Sequence, residues 1–455
     1  MNLIKHLAVL NKKITTFDNT NSSRNKYLII LKLMKALQRI FIAIFILLIA
    51  VSCNDDKRVN SDDLAKAVPV PAIRYSQYIP ADSNFSNGII IIMDPHSKPQ
   101  LIMDSLHQYA NMNHMALLGI KDIKNGINNY DKIINRDLTQ FITNNNIGRS
   151  KIYLIGFSGA ARMAEYFSAT HKIDGLIMCG AGMRRINQLP FPTVLLAGTR
   201  DFNFLEQYYD QNSKLTTNKN MIAFNFVGGH QWPPVRIIET GFNFLIHRLK
   251  GGNDSISSIY EQRVDGYLKA KDYYSAFKSM EIAYKFKNHN DDEYLLEKLQ
   301  KMKNSKQIKR YFARTNLYIE EEMNRYKTLS KAIEIQSIKW WTNQLQYINY
   351  RTTKKDPISA NSYERTKSYL GLVMFSKISN ALSADGNKQM LDKYIIIYEL
   401  LEPSSPYLHF FKAVILYRNL DYDAAKEEMR IAKSNGFDDN DRLKNNFSEE
   451  FILQL

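Results

Sequence analysis

The sequence predicts a three-layer α/β sheet followed by an all-α helical-repeat region, and three observations carry that prediction. Between about residues 72 and 250, six short apolar runs alternate with longer amphipathic stretches. Each run is four to seven residues long and apolar on both faces, as expected of parallel strands covered by helices on either side. From Asp254 onward no such run recurs, and the pattern is helical to the end.

Ahead of the sheet lies an address. Residues 1–53 hold eight Lys or Arg against one acid, Asp18, which accounts for +7 of the chain's net charge of +16. An uninterrupted apolar run of twelve, Ile40 to Val51, follows; a helix needs roughly twenty residues to cross a bilayer. Basic residues, a short apolar run and small residues before a polar stretch make an export signal. The ending Leu48-Ile-Ala-Val-Ser-Cys53 resembles the bacterial lipoprotein signal, in which the cysteine becomes the lipid-modified first residue, although Ala50 stands where that signal favours Leu. The resemblance implies lipidation at Cys53 and a place in the bacterial cell envelope, on the periplasmic face or the cell surface. A single transmembrane helix beginning near Tyr27 is the alternative. Met34-Lys-Ala-Leu-Gln-Arg39 reads as an ordinary signal start, which leaves residues 1–33 open to being an extension, and residues 54–71 read as a linker.

The strand runs are Gly88–Asp94, Met115–Ile120, Lys151–Gly156, Gly175–Cys179, Thr193–Gly198 and Met221–Val227. The stretches between them are long enough for crossover helices, and such sheets place their chemistry beyond the carboxyl ends of the strands. The third run leads into Gly156-Phe-Ser-Gly-Ala160 and then a helical segment. A serine nucleophile needs a sharp strand-to-helix turn that lifts its hydroxyl clear of the sheet, and small residues two before and two after permit that turn. The backbone N–H of Gly159, at a helix start, is then placed to meet a developing oxyanion. Asp201 follows the Thr193–Gly198 run, and His230 sits in Gly228-Gly-His-Gln-Trp-Pro-Pro234 after the last one.

Each residue has a plainer role open to it. Ser158 could cap a helix, Asp201 could cap the helix that follows it, and His230 could be a satisfied histidine in a glycine-rich loop. Asp174 and Asp210 are rival acids, but neither ends an apolar run. What joins Ser158, Asp201 and His230 is their order and their common placing after strands. That order resembles the α/β-hydrolase superfamily across residues 72–250, and the Gly-Gly-His-Gln-Trp-Pro segment looks like the histidine loop of feruloyl esterases and polyhydroxybutyrate depolymerase-type esterases. The resemblance implies that Ser158 attacks an acyl carbon, His230 takes its proton and Asp201 orients His230. Many relatives carry His-Gly at the second oxyanion donor, whereas this chain reads Asp94-Pro-His-Ser97. Pro95 has no N–H, so the amide of His96 or Ser97 is expected to serve, with His96 preferred. His96 as a metal ligand is the weaker option, since no second His or acid cluster lies at ligand spacing. No cofactor is expected.

In residues 255–455, Asp272-Tyr-Tyr-Ser-Ala276 with Met280 and Ala283 shares its spacing with Asp421-Tyr-Asp-Ala-Ala425 with Met429 and Ala432. Small residues at those offsets let antiparallel helices approach closely, with Asp-Tyr in the turn, and Ala413 extends the second pattern. This resembles the tetratricopeptide repeat, whose helix hairpins recur about every 34 residues. Residues 290–363, with Trp340-Trp341, match no repeat.

Two cysteines exclude a disulfide framework and a cysteine-based zinc site; with Cys53 as the lipid anchor, Cys179 reads as a small core hydrophobe. The charge beyond residue 53 is spread evenly and accompanies no base-stacking or phosphate-cradling motif, so nucleic acid is not expected as a partner. The expected partners are a small-molecule or polymeric ester, a membrane through the lipid anchor, and a protein or peptide on the helical repeats. Peptide hydrolysis, and a non-catalytic surface binding or assembly protein working through its helical repeats, are the competing functions.

Overall fold

The six apolar runs do form strands, joined by a seventh at the edge. In the computed structural model these are β1 (Tyr75–Tyr78), β2 (Gly88–Met93), β3 (Met115–Ile120), β4 (Ile152–Phe157), β5 (Gly175–Cys179), β6 (Thr193–Gly198) and β7 (Met221–Phe226), in the order β1-β3-β2-β4-β5-β6-β7. Every pair is parallel except β1 with β3. The structure describes residues 73–80, 85–148, 150–184, 189–213, 218–288, 293–383 and 388–455, without the side chains of 209–213 and 388–389. The chain divides into Met1–Pro71 and one compact unit, Ala72–Leu455; the export signal, Cys53 and the linker lie outside the described residues. Among the described residues no helix is long and apolar enough to cross a membrane.

Register explains why a site can form. Met93 pairs with Gly156, Phe157 with Cys179 and Gly198 with Phe226, so the carboxyl ends of β2, β4, β5, β6 and β7 finish along one edge. Alternate residues of each strand point to opposite faces. Ile89, Ile91 and Leu154 face α2 (Tyr130–Asn144) and α3 (Ser158–Ser168), while Ile90, Ile92 and Tyr153 face α1 (Gln100–Met112) and α5 (Val235–Leu249). Between β6 and β7 runs α4 (Phe204–Ser213). Cys179 is fully buried in the second of these faces, where burial raises its thiol pKa.

The helical region begins with a hairpin, α6 (Asp254–Lys269) and α7 (Tyr273–Phe286). Lys271 takes the left-handed conformation (φ 58°), and Asp272 caps α7 by accepting from the Ser275 N–H at 3.1 Å. The pair α13 (Pro406–Arg418) and α14 (Tyr422–Ser434) repeats that turn, with Leu420 at φ 66° and Asp421 accepting from the Ala424 N–H at 3.3 Å. Ala276, Ala283, Ala413, Ala425 and Ala432 are completely buried, which is the close approach their size allows. Between the hairpins run α8 (Glu293–Asn304), the 30-residue α9 (Lys306–Ile335), α10 (Ile338–Thr352), α11 (Pro357–Ser383) and α12 (Lys388–Leu401). Two short helices, α15 (Asn440–Asn446) and α16 (Glu449–Leu453), follow the second hairpin.

The hairpin α6–α7 shares a core with the sheet. Ile282 and Phe286 belong to the same buried cluster as Phe244 and Leu245 of α5, and Phe286 meets Phe244 edge-on at 5.4 Å. Burying such a ring contributes about 1.5–3 kcal/mol. Beside it Glu281 lies between Lys278 (2.5 Å) and Lys285 (3.0 Å), and Lys285 also donates to the Met221 carbonyl. Burial pushes the Glu281 carboxyl up, but the two ammonium groups outweigh it and hold it at about 2. Burial pulls Lys285 below its ordinary value, and one acid only partly offsets that. A depressed carboxyl stabilises the fold fully above its ordinary value near 4.5 and loses that contribution as pH falls toward about 2. Glu281→Gln, which leaves two lysines without their acid, should cost about 3–5 kcal/mol in urea unfolding at pH 7. A loss under about 1 kcal/mol would show that the cluster is not maintained by Glu281.

Candidate active site

Ser158 stands at the turn from β4 into α3, with Phe157 extended (φ −113°, ψ 139°) and Ser158 itself at φ 52°. A left-handed conformation is costly for a serine and is held only where its surroundings impose it. Here they do. A Cβ on Gly156 would lie 2.7 Å from the Ala160 carbonyl oxygen and 2.8 Å from the Ala161 Cα, so the strand and the helix meet closely enough to force the turn. The result leaves Ser158 half-exposed at the carboxyl edge of the sheet.

Two further loops converge on it. His230 Nε2 lies 2.9 Å from Ser158 Oγ, and His230 Nδ1 lies 3.0 Å from both Asp201 carboxylate oxygens. Because a carboxylate can only accept, the proton sits on Nδ1, and Nε2 is left to accept from the serine hydroxyl. The imidazole is held by rings on two sides, Phe157 at 4.8 Å and Phe202 at 4.6 Å between centroids.

Asp201 is completely buried, and Oδ1 accepts from the Asn203 N–H at 2.8 Å, so it caps the turn leading to α4 while binding His230. The loops of Asp201 and His230 are knitted by their backbones: Thr199 N–H donates to the Phe226 carbonyl at 2.8 Å and Arg200 N–H to Gly228 at 2.9 Å. Any side chain on Gly198 would strike the Gly228 and Gly229 carbonyls. Asp174 lies at the opposite end of the sheet, accepting from the Ile152 N–H at 2.9 Å. Asp210 falls in the last part of α4, residues 209–213, whose side chains are not described.

The expected second oxyanion donor is placed otherwise. His96 N–H donates to Asp94 Oδ1 at 2.8 Å, and Ser97 N–H donates to the Asp94 carbonyl at 3.1 Å. Both amides are therefore committed to Asp94, because the aspartate folds the loop after β2 back on itself. Asp94 Oδ2 also accepts from Trp232 Nε1 at 2.8 Å, tying that loop to the histidine loop. Asp94 and Trp232 were not singled out in the sequence, though a carboxylate ending a buried apolar strand is a signal that could have marked the first. The Gly159 amide lies at the start of α3, as expected. Asn125, exposed in the loop after β3, sets its Oδ1 where a Cβ on Gly159 would fall, so a side chain beside the serine would have to displace the Asn125 amide. Among the described residues no group of three His, Cys, Asp or Glu that could hold a metal gathers at His96 or elsewhere.

The helical region also reaches the loop of Asp201. Arg365 of α11 donates through Nη1 to the Thr199 carbonyl at 2.6 Å, two residues before Asp201, and pairs with Glu322 of α9 through Nε and Nη2 (2.9 and 2.6 Å). Burial opposes the Arg365 charge, and Glu322 outweighs it, so the guanidinium is held above its ordinary value.

No family model matches this chain, and no curated protein does. Among solved structures it is similar to esterase PE8 (9% identity, 37% of this chain and 97% of that one, TM-score 0.31). It is also similar to Est1E from Butyrivibrio proteoclasticus (9%, 39% and 94%, 0.31) and to an α-β serine hydrolase homologue from Coxiella burnetii (15%, 43% and 100%, 0.31). Likenesses of this size decide nothing about the chemistry here, which rests on the three side chains themselves.

Proposed function

We propose that this chain is a serine hydrolase of carboxylic esters. The observation that carries the reading is the contiguous relay from Ser158 Oγ through His230 to the buried Asp201, on a serine held at φ 52°. In the first half-reaction Ser158 Oγ bonds to the acyl carbon as His230 Nε2 takes its proton. Asp201 stabilises the imidazolium so formed without itself accepting the proton. The carbonyl oxygen becomes an oxyanion that the Gly159 N–H can meet; the His96 amide can join it only by releasing Asp94. The alcohol departs with the proton from His230. Water then gives a proton to His230 and its oxygen to the acyl carbon, and Ser158 leaves as the restored hydroxyl.

The identity of the acid and alcohol portions lies with the cleft rather than the triad; small or polymeric esters of the feruloyl or hydroxybutyrate kind are the class the histidine loop suggests. The reading extends to the amino terminus, where the pattern ending at Cys53 supports export and lipid anchoring in a bacterial envelope. It extends also to the hairpins α6–α7 and α13–α14, whose common turn supports kinship with tetratricopeptide repeats.

The test is covalent labelling with a fluorophosphonate. The full chain should be labelled, and Ser158→Ala should not; labelling that survives Ser158→Ala, or an unlabelled wild-type chain, removes the reading.

A further inference from the structure

We propose that the helical region is a working part of this site, and that Arg365 is a positioning residue for Asp201. The proposal rests on the ester-hydrolase reading for its consequence in rate, but its geometry stands apart from that reading.

Asp201 reaches His230 from a short loop, Thr199-Arg200-Asp201, whose backbone N–H groups all point back into the sheet and the histidine loop. Thr199 and Arg200 bind Phe226 and Gly228, and Asp201 N–H binds the Gly198 carbonyl at 3.0 Å. The Thr199 carbonyl faces away from the sheet domain, and the group that takes it is Arg365 Nη1. The Nε and Nη2 of that guanidinium donate to Glu322, which also accepts from the Tyr326 hydroxyl at 2.6 Å. The planar fork is thus oriented from behind by one carboxylate, which turns Nη1 toward the Thr199 carbonyl. Its central carbon lies over the Phe204 ring at 4.7 Å from the centroid, so the guanidinium is braced at the first residue of α4 as well.

The surroundings make the contact a fixed one. Arg365 is 4% exposed and Glu322 0%. One turn before Glu322, Ile319 is buried against Ala197, Phe204, Leu205 and Tyr208, and Asn316 accepts from the Tyr208 hydroxyl at 2.7 Å. All four of those residues belong to β6 or α4, the two elements that flank Asp201. At the other lip of the site the helical region makes exposed ion pairs, Asp438 with Lys98 and Asp441 with Lys124, which water and salt screen. The tight docking is therefore on the acid side. A buried ion pair stabilises a fold no better than apolar packing would, so stability does not account for an Arg–Glu pair here. Orientation of the Thr199 carbonyl does.

The experiment compares the full-length wild type with Arg365→Met, Arg365→Lys and a matched control, Lys285→Met. The control breaks another buried ion pair, one that binds the start of β7 at the far edge of the sheet. Fluorophosphonate labelling rates and steady-state ester turnover are measured per labelled serine, below each variant's melting temperature. Arg365→Met should lower the labelling rate and kcat by about ten- to a hundredfold, the cost of displacing a catalytic group by about an ångström, with KM little changed. Arg365→Lys, which keeps the charge beside Glu322 but not the fork, should fall between; it is the variant to read if Arg365→Met does not fold. Lys285→Met should lower the melting temperature and leave the rate per labelled serine intact.

A merely structural role for Arg365 would lower the number of labelled molecules at an unchanged rate, and that result overturns the proposal. If the wild type is not labelled at all, the ester-hydrolase reading fails and the low-field proton resonance of the His230–Asp201 hydrogen bond decides. Its loss in folded Arg365→Met supports the positioning role, and its persistence overturns it.

Discussion

His230→Ala should lower ester turnover by about 10⁶-fold in kcat, the scale on which removal of a triad histidine acts. The reason is geometric. His230 Nε2 is the acceptor at 2.9 Å from Ser158 Oγ; with it gone, the hydroxyl would have to attack while still carrying its proton. The leaving alcohol loses its proton donor in the same step. The imidazole packs against Phe157 and Phe202, and truncating it opens space at a half-exposed position without uncovering the core, so the variant should stay folded. Ser158→Ala combined with His230→Ala should be scarcely slower than either alone, because the two act as one unit. Saturating an aryl ester and measuring kcat against enzyme-free hydrolysis checks both statements. A fall smaller than about a hundredfold would mean that another base serves Ser158.

Asp201→Asn should lower kcat by about 10⁴-fold with little loss of stability. The carboxylate accepts from His230 Nδ1 and so directs the lone pair of Nε2 toward the serine. A carboxamide in the same place can present its NH₂ to Nδ1, which favours the tautomer with the proton on Nε2. That nitrogen would then donate to Ser158 Oγ and could no longer receive its proton. The amide oxygen would still accept from the Asn203 N–H, which Asp201 meets at 2.8 Å, so the turn into α4 survives. Turnover by the purified variant, together with its thermal unfolding, separates the two effects. A variant that is inactive because it is unfolded would contradict the tautomer argument.

The parts of the fold and site legible in the sequence share a physical cause. Parallel strands buried on both faces must be apolar throughout, so β2 to β7 stand out as continuous runs whose ends mark the loops. Ser158, Asp201 and His230 each lie just past such an end, and register brings those ends level. The edge strand β1, Tyr75–Tyr78, escaped notice because only Tyr75 of its four residues is fully buried and the others lie at or near solvent. Short range is what made the Asp-Tyr turns visible, since each capping aspartate binds an amide three residues along its own helix.

Contacts settled by loop conformation or made over long range left no such trace. His96 was expected to offer its amide to an oxyanion, but Asp94 closes the loop on that amide and reaches across to Trp232, 138 positions away. The stretch 290–363 matched no repeat because its faces are not matched only to one another. Ile319 packs on Ala197, Phe204 and Leu205, and Glu322 is buried beside an arginine that follows it by 43 positions.

What the sequence determines by itself is the layered sheet, the helical character of the rest and the three side chains with the order to act together. Periodicity and strand-end position are local properties, written in neighbouring residues. What only the tertiary structure decides is the loop conformation that commits the His96 amide to Asp94, and the placing of Arg365 against the Thr199 carbonyl, a hydrogen bond between segments 166 positions apart that depends on how two cores meet. No pattern in either segment records that meeting.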